Sequence, residues 1–110
     1  MIGSHAGEMP TLHTINKSPF ERSAFASALN HLRPGDTLLM IEDAVVGGRK
    51  GSAFAERLEN AAKTCNVCIL EPDLAARGME RNETIQAAKL VDYGGFVDLV
   101  TGHDRTQAWL

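Results

Sequence analysis

Cys65 and Cys68 stand three apart as Cys-Asn-Val-Cys, the spacing of a dithiol redox pair or of half a zinc site. A reactive thiol of that kind needs a helix N-terminus or a nearby cation to lower its pKa. Here the pair opens an apolar run, Asn66 to Leu70, that reads as a strand. Residues i and i+3 of a strand point to opposite faces, so a shared disulfide or metal is awkward. Cys68 is therefore read as a small buried hydrophobe, and Cys65 as a weak sulfur acceptor at the amino end of the sheet. Glu42 and Asp43 form a second candidate, an acid–base pair at the end of an apolar run. No Ser-His or Cys-His arrangement lies near them in sequence, so a solvated pair at a strand end is preferred. Gly47-Gly48-Arg49-Lys50-Gly51-Ser52 leads into a helix, where backbone amides attract anions. It lacks the P-loop spacing and is not Gly-x-Gly-x-x-Gly, so it is expected to be a flexible loop touching a neighbouring subunit. His13 falls on a strand and is read as a satisfied core or interface histidine. His31 and His103 close helices, where an imidazolium is favoured by the helix dipole. No two histidines have metal spacing, and no metal or cofactor is expected.

The elements that must hold these residues follow from periodicity. Thr37 to Ile41 is apolar without alternation, as in a central strand of a parallel sheet covered on both sides. Pro34-Gly35-Asp36 gives the turn before it. In such sheets sites lie outside the carboxyl ends of the strands, which is where Glu42 and Asp43 fall. Thr11 to Asn16 reads as the first strand. Ser18-Pro19 with Glu21 has the form of a helix N-terminus with a capping box, and the helix runs to Arg33-Pro34. Ser52 caps a second helix, Ala53 to Lys63. Glu71-Pro72-Asp73 ends the third strand, with Asp73 capping a short turn that stops at Gly78. Met79 to Thr84 reads as polar loop, Lys89 to Tyr93 as a fourth strand, Gly95 to Gly102 as a last helix, and Gln107 to Leu110 as a terminal strand. Strands alternating with helices imply a single three-layer α/β/α domain with a mostly parallel sheet of about five strands, flavodoxin-like or Rossmann-like.

Bulk properties narrow the function. The chain has 110 residues and a formal net charge of −3. That is one domain, and mild acidity disfavours a nucleic-acid binder acting alone. Aromatics are 5%, so the core must be aliphatic. No apolar run is long enough to span a membrane, and no secretory signal is visible. With two cysteines this points to a reducing, cytoplasmic setting. Met1 to Glu8 reads as an expression-tag remnant and Met9 as the native start.

Five segments in order resemble the DsrH/TusB family of sulfur-relay proteins, within the DsrE-like superfamily. They are Leu12 to Phe20, Leu38 to Val45, Asp73 to Gly78, Val91 to Leu99 and Gln107 to Leu110. The resemblance implies a DsrE-like fold and a cytoplasmic role as the smallest of three homologous subunits, two copies of each forming a heterohexamer. It implies DsrE/TusD-like and DsrF/TusC-like partners and a DsrC/TusE-like sulfur acceptor. The TusB branch serves 2-thiolation of the wobble uridine of certain transfer RNAs, and the DsrH branch serves sulfur oxidation. In both, the principal persulfide cysteine lies on the DsrE/TusD partner. Some DsrH chains carry a cysteine in the first helix, a position aligned with Ala28 here, so a sulfur-carrying role for this subunit is not expected. Arg77, Asp92 and Tyr93 would help dock partners. Trp109, the one tryptophan, is expected to tie the last strand into the sheet near a subunit contact, because an open edge strand invites another chain. An isolated chain is expected to self-associate. The rival readings are a thiol sulfurtransferase using Cys65 or Cys68, and a small-molecule binder using the glycine loop.

Overall fold

A computed structural model describes residues 10–21 and 23–110. The tag-remnant reading of Met1 to Glu8, with Met9, lies outside the described residues. Among the described residues five strands form one wholly parallel sheet: β1 (Thr11–Ile15), β2 (Thr37–Met40), β3 (Asn66–Leu70), β4 (Lys89–Val91) and β5 (Arg105–Trp109). Their order is β4-β3-β2-β1-β5. The first four strands add one after another in a single direction. β5 then returns across the sheet to pair with the free side of β1, in a register that matches Thr11 with Arg105 and Ile15 with Trp109.

Four helices connect the strands: α1 (Ala24–His31), α2 (Ala55–Ala61), α3 (Glu71–Ala76) and α4 (Tyr93–Gly102). The strand alternation sorts the apolar residues onto two faces. Ile15, Leu38, Met40, Val67 and Ile69 share a face with Phe25 and Ala28 of α1, Leu58 of α2 and Leu74 of α3. Leu12, Leu39 and Cys68 form the opposite face, which meets only Phe96 and Leu99 of α4 among the helices. β2 is buried at all four positions, as an apolar run without alternation requires.

Several expected boundaries shift, each for a local reason. Ser18-Pro19 does not start the first helix. Ser18 is buried, its Oγ accepts from the Phe20 amide at 3.2 Å, and its carbonyl accepts from the Glu21 amide, so the segment closes a turn and the regular helix begins at Ala24. Glu71 and Pro72 do not merely end β3 but form the first turn of α3, since proline suits a helix start. Met79 to Thr84 is not a free polar loop. Met79 and Thr84 are buried, and Glu80 and Glu83 cap a single 3-10 turn at Arg81–Glu83. Asp92 leaves the fourth strand to cap α4, its Oδ1 accepting from the Gly95 amide at 2.7 Å. Tyr93 is therefore helical. The last strand starts two residues earlier than expected, at Arg105.

Candidate functional site

At the carboxyl rim of β2 the chain enters a 3-10 helix, Glu42–Gly48. Glu42 has φ 50°, the left-handed region that costs a non-glycine residue about 1–2 kcal/mol. Its amide donates to Asp73 Oδ2 at 2.6 Å, which holds the corner from α3. Asp43 is not paired with Glu42 for proton transfer. Its Oδ1 accepts from Arg77 Nε at 3.1 Å and from Arg77 Nη2 at 2.8 Å. Arg77 Nη1 also donates to the Asp73 carbonyl, and Glu71 pairs with Arg81 next to it. The rim is thus a chain of exposed ion pairs and amide contacts that fastens α3 to the corner after β2. Exposed pairs of this kind contribute at most about 1 kcal/mol each.

Gly47 and Gly48 are not a flexible anion loop or a surface contact. Both are buried within the chain's own core. A Cβ on Gly47 would come within 2.7 Å of the Phe25 ring, and one on Gly48 within 2.6 Å of Ile69 Cδ1. Glycine stands there because the 3-10 segment lies directly on the core. Ser52 follows, accepting from the Phe54 amide at 3.3 Å and donating to the Gly47 carbonyl at 2.9 Å.

The two thiols are kept apart. Cys68 is buried on the face under α4, where burial pushes its thiol pKa up and Lys89 pulls it back in part. Cys65 is half-buried at the amino end of β3 and its Sγ donates to the Arg33 carbonyl at 3.2 Å. Ala28, the position where a first-helix cysteine would fall, is fully buried on the sheet-facing side of α1.

The densest polar network lies at the opposite end of the sheet from the one expected. Asp36, read from sequence only as part of a turn, is buried there beside β1 and β2. Its Oδ1 accepts from the Thr11 amide at 2.9 Å, and its Oδ2 from the Arg33 amide at 3.1 Å and His13 Nε2 at 2.9 Å. Burial alone would raise the Asp36 pKa. The Thr11 amide, the His13 ring and the Arg33 amide outweigh it and hold the carboxyl below its ordinary value. His13 is buried too, and its Nδ1 receives the Trp109 indole N–H at 3.1 Å. An indole nitrogen only donates, so Nδ1 carries no proton and Nε2–H faces Asp36. The line from Thr11 through Asp36 and His13 to Trp109 ties both strands of the β1–β5 pair. It borders a cleft of about 1080 Å³ that also takes in His31, Gln107 and Arg105. His31 lies 5.0 Å from the Trp109 ring and is anchored through Nδ1 to the Ser27 carbonyl at 2.7 Å. His103 is bound the same way to the Leu99 carbonyl, so each helix-closing histidine folds back onto the carbonyl four residues before it.

On the α4 side, Tyr93, Val97 and Val100 are 61%, 59% and 41% exposed. Their spacing of four and three residues aligns them in one outward stripe, while Phe96 and Leu99 point to the sheet. Asp92 and Tyr93 thus occupy a helix start on the open surface. Among the described residues no three His, Cys, Asp or Glu side chains group to hold a metal, and no helix is long and apolar enough to cross a membrane.

A family model described as DsrH-like protein matches residues 17–106. Protein TusB of Escherichia coli (strain SMS-3-5 / SECEC) is 38% identical over 101 residues, covering 89% of this chain and 99% of that protein. Among solved structures, the YchN protein of E. coli superposes with a TM-score of 0.75 at 14% identity, covering 91% of this chain and 98% of YchN. MTH1491 of Methanobacterium thermoautotrophicum, a protein of unknown function, gives 0.71 at 14% identity over 92% and 99%. The likeness to both structures is one of fold.

Proposed function

The chain belongs to the DsrH family of sulfur-relay proteins, and from that premise we propose that it is a non-catalytic docking subunit of a sulfur-transfer complex. Its partners in this reading are homologous DsrE/TusD-like and DsrF/TusC-like subunits, which pass persulfide sulfur to a DsrC/TusE-like acceptor in the cytoplasm. The complex serves transfer-RNA wobble-uridine 2-thiolation or sulfur oxidation.

The observation that carries the reading is the contrast between thiols and surface. Cys68 is sealed in the sheet with a raised pKa, and a thiolate is the form that accepts sulfur. Cys65 is occupied by a backbone carbonyl at the amino end of β3. Meanwhile the Tyr93–Val97–Val100 stripe of α4 offers aromatic and aliphatic surface of the kind that fills the centre of subunit contacts. In this reading the His13–Trp109 contact keeps β5 in shape for assembly, and the Asp43–Arg77 contact does the same for α3.

Co-expression with the two homologous subunits tests this directly. A stable complex containing all three is expected, with persulfide on a partner's cysteine when sulfur is supplied. Failure to form a complex with either homologue removes the reading. Sulfur found by mass spectrometry on Cys65 during turnover would replace it with a thiol sulfurtransferase.

A further inference from the structure

The two edges of the sheet are built differently. β4 is three residues long and starts with an exposed lysine, which is how an edge is kept from pairing. β5 is five residues long and contains neither lysine nor proline. Arg105, Thr106, Gln107 and Ala108 are all exposed, and only Trp109 is partly covered. Among the described residues β5 is therefore open on both faces as well as along its outer edge, a state in which the unpaired amides and carbonyls of a strand seek another chain.

The sequence of β5 fits its own reverse. In an antiparallel pair of two β5 strands, a two-fold axis at Gln107 sets Gln107 opposite Gln107, Thr106 opposite Ala108, and Arg105 opposite Trp109. This register pairs all five residues of each strand; moving the axis to either neighbour leaves residues unpaired. It sets each guanidinium beside the indole of the other copy, within reach of a cation–π contact. It also keeps the two arginines four residues apart along the strand, about 13 Å, beyond the screening length of about 8–10 Å at ordinary salt. Arg105, Gln107 and Trp109 lie on the face toward α1, where they line the cleft, so the clefts of the two copies would meet across the axis.

We propose that two copies of this chain join through β5, pairing antiparallel about Gln107 to make one continuous sheet across both, with Arg105 of each copy on Trp109 of the other. The contact is small and two-fold, so it forms at micromolar chain concentration and reverses on dilution. It is independent of the α4 stripe.

Two measurements on the full chain test it. In the first, Gln107→Cys is oxidised mildly and digested for mass spectrometry. Opposed residues in an antiparallel pair lie about 4.5–5.5 Å apart between Cα atoms, within disulfide reach. A disulfide joining position 107 of one copy to position 107 of the other is expected, and Arg105→Cys should give no corresponding link to itself. Equal linking by both variants, or none by Gln107→Cys, overturns the register. In the second, sedimentation of the native chain is followed together with the emission of its one tryptophan. A concentration-dependent dimer is expected, with a red shift of the emission as it dissociates. Arg105→Glu, an exposed position whose change should not affect folding, should raise the dissociation constant at least tenfold. A native chain that stays monomeric at high micromolar concentration, or an Arg105→Glu dimer of unchanged affinity, overturns the proposal.

Discussion

The two faces of the sheet are packed unequally. On one, α1, α2 and α3 close over Ile15, Leu38, Met40, Val67 and Ile69, and Phe25 of α1 is fully buried with its ring edge against Phe54 at 5.1 Å between centroids. On the other, α4 is the one helix among the described residues that packs on Leu12, Leu39 and Cys68; it has no fully buried residue of its own and turns Tyr93, Val97 and Val100 outward. The difference separates what the chain does for itself from what it leaves for others. The three-helix face is a core that holds the fold. The α4 face and the bare β5 strand carry apolar and backbone surface that the chain does not use internally.

Substitutions on the two sides sharpen or break that comparison. Phe25→Ala removes a buried ring from the three-helix face and should cost about 3–5 kcal/mol, read as a fall in the urea midpoint; a loss under about 1 kcal/mol would mean that this face is no tighter than the other. Gly47→Ala pushes a methyl against the rigid Phe25 ring and should cost about 1–3 kcal/mol by the same measurement. Gly48→Ala should cost less, because it meets only the mobile end of Ile69. Asp36→Asn removes the charge that receives the Thr11 and Arg33 amides and the His13 ring, with an expected loss of about 1–3 kcal/mol near neutrality. The folded Asp36 carboxyl lies below its ordinary value, so its contribution is full above the unfolded pKa of about 4 and disappears as pH falls through the folded one. The native chain should therefore lose stability on acidification through that window more steeply than Asp36→Asn, as urea midpoints across pH would reveal. Smallest for folding is Val97→Asp on the α4 stripe, expected within about 0.5 kcal/mol, yet it should abolish co-purification with the homologous subunits. Retained assembly would show that the stripe is not the contact.

The sheet was legible because two of its inner strands, β2 and β3, are apolar without alternation. Thr37 to Met40 and Asn66 to Leu70 needed no other signal. The resemblance carried by Leu12 to Phe20 and Val91 to Leu99 likewise led to the DsrH family. What was not legible depends on contacts between distant residues. Asp36 reads as a turn residue beside Pro34 and Gly35, and only the return of β5 to β1 makes it part of a line reaching Trp109. Its available signal was a carboxylate directly preceding a buried strand. Gly47 and Gly48 read as a loop because glycine marks both freedom and close approach, and only the Phe25 and Ile69 side chains tell which applies. The Ser18-Pro19 start failed because the same hydroxyl that caps a helix also closes a turn. Tyr93 reads as strand because aromatic residues favour strands, whereas the Asp92 cap makes it helical.

The pairing of β1 with β5 joins residues as far apart as His13 and Trp109, 96 positions along the chain. Contacts of such long sequence separation form late, since a large loop must close before they return any energy. As the ribosome makes the chain from its amino end, β1 waits as an open edge until β5 has emerged. Of the described strands, β1 is the earliest in the chain and the last to gain both of its neighbours, and until β5 arrives its outer edge is a template open to another chain.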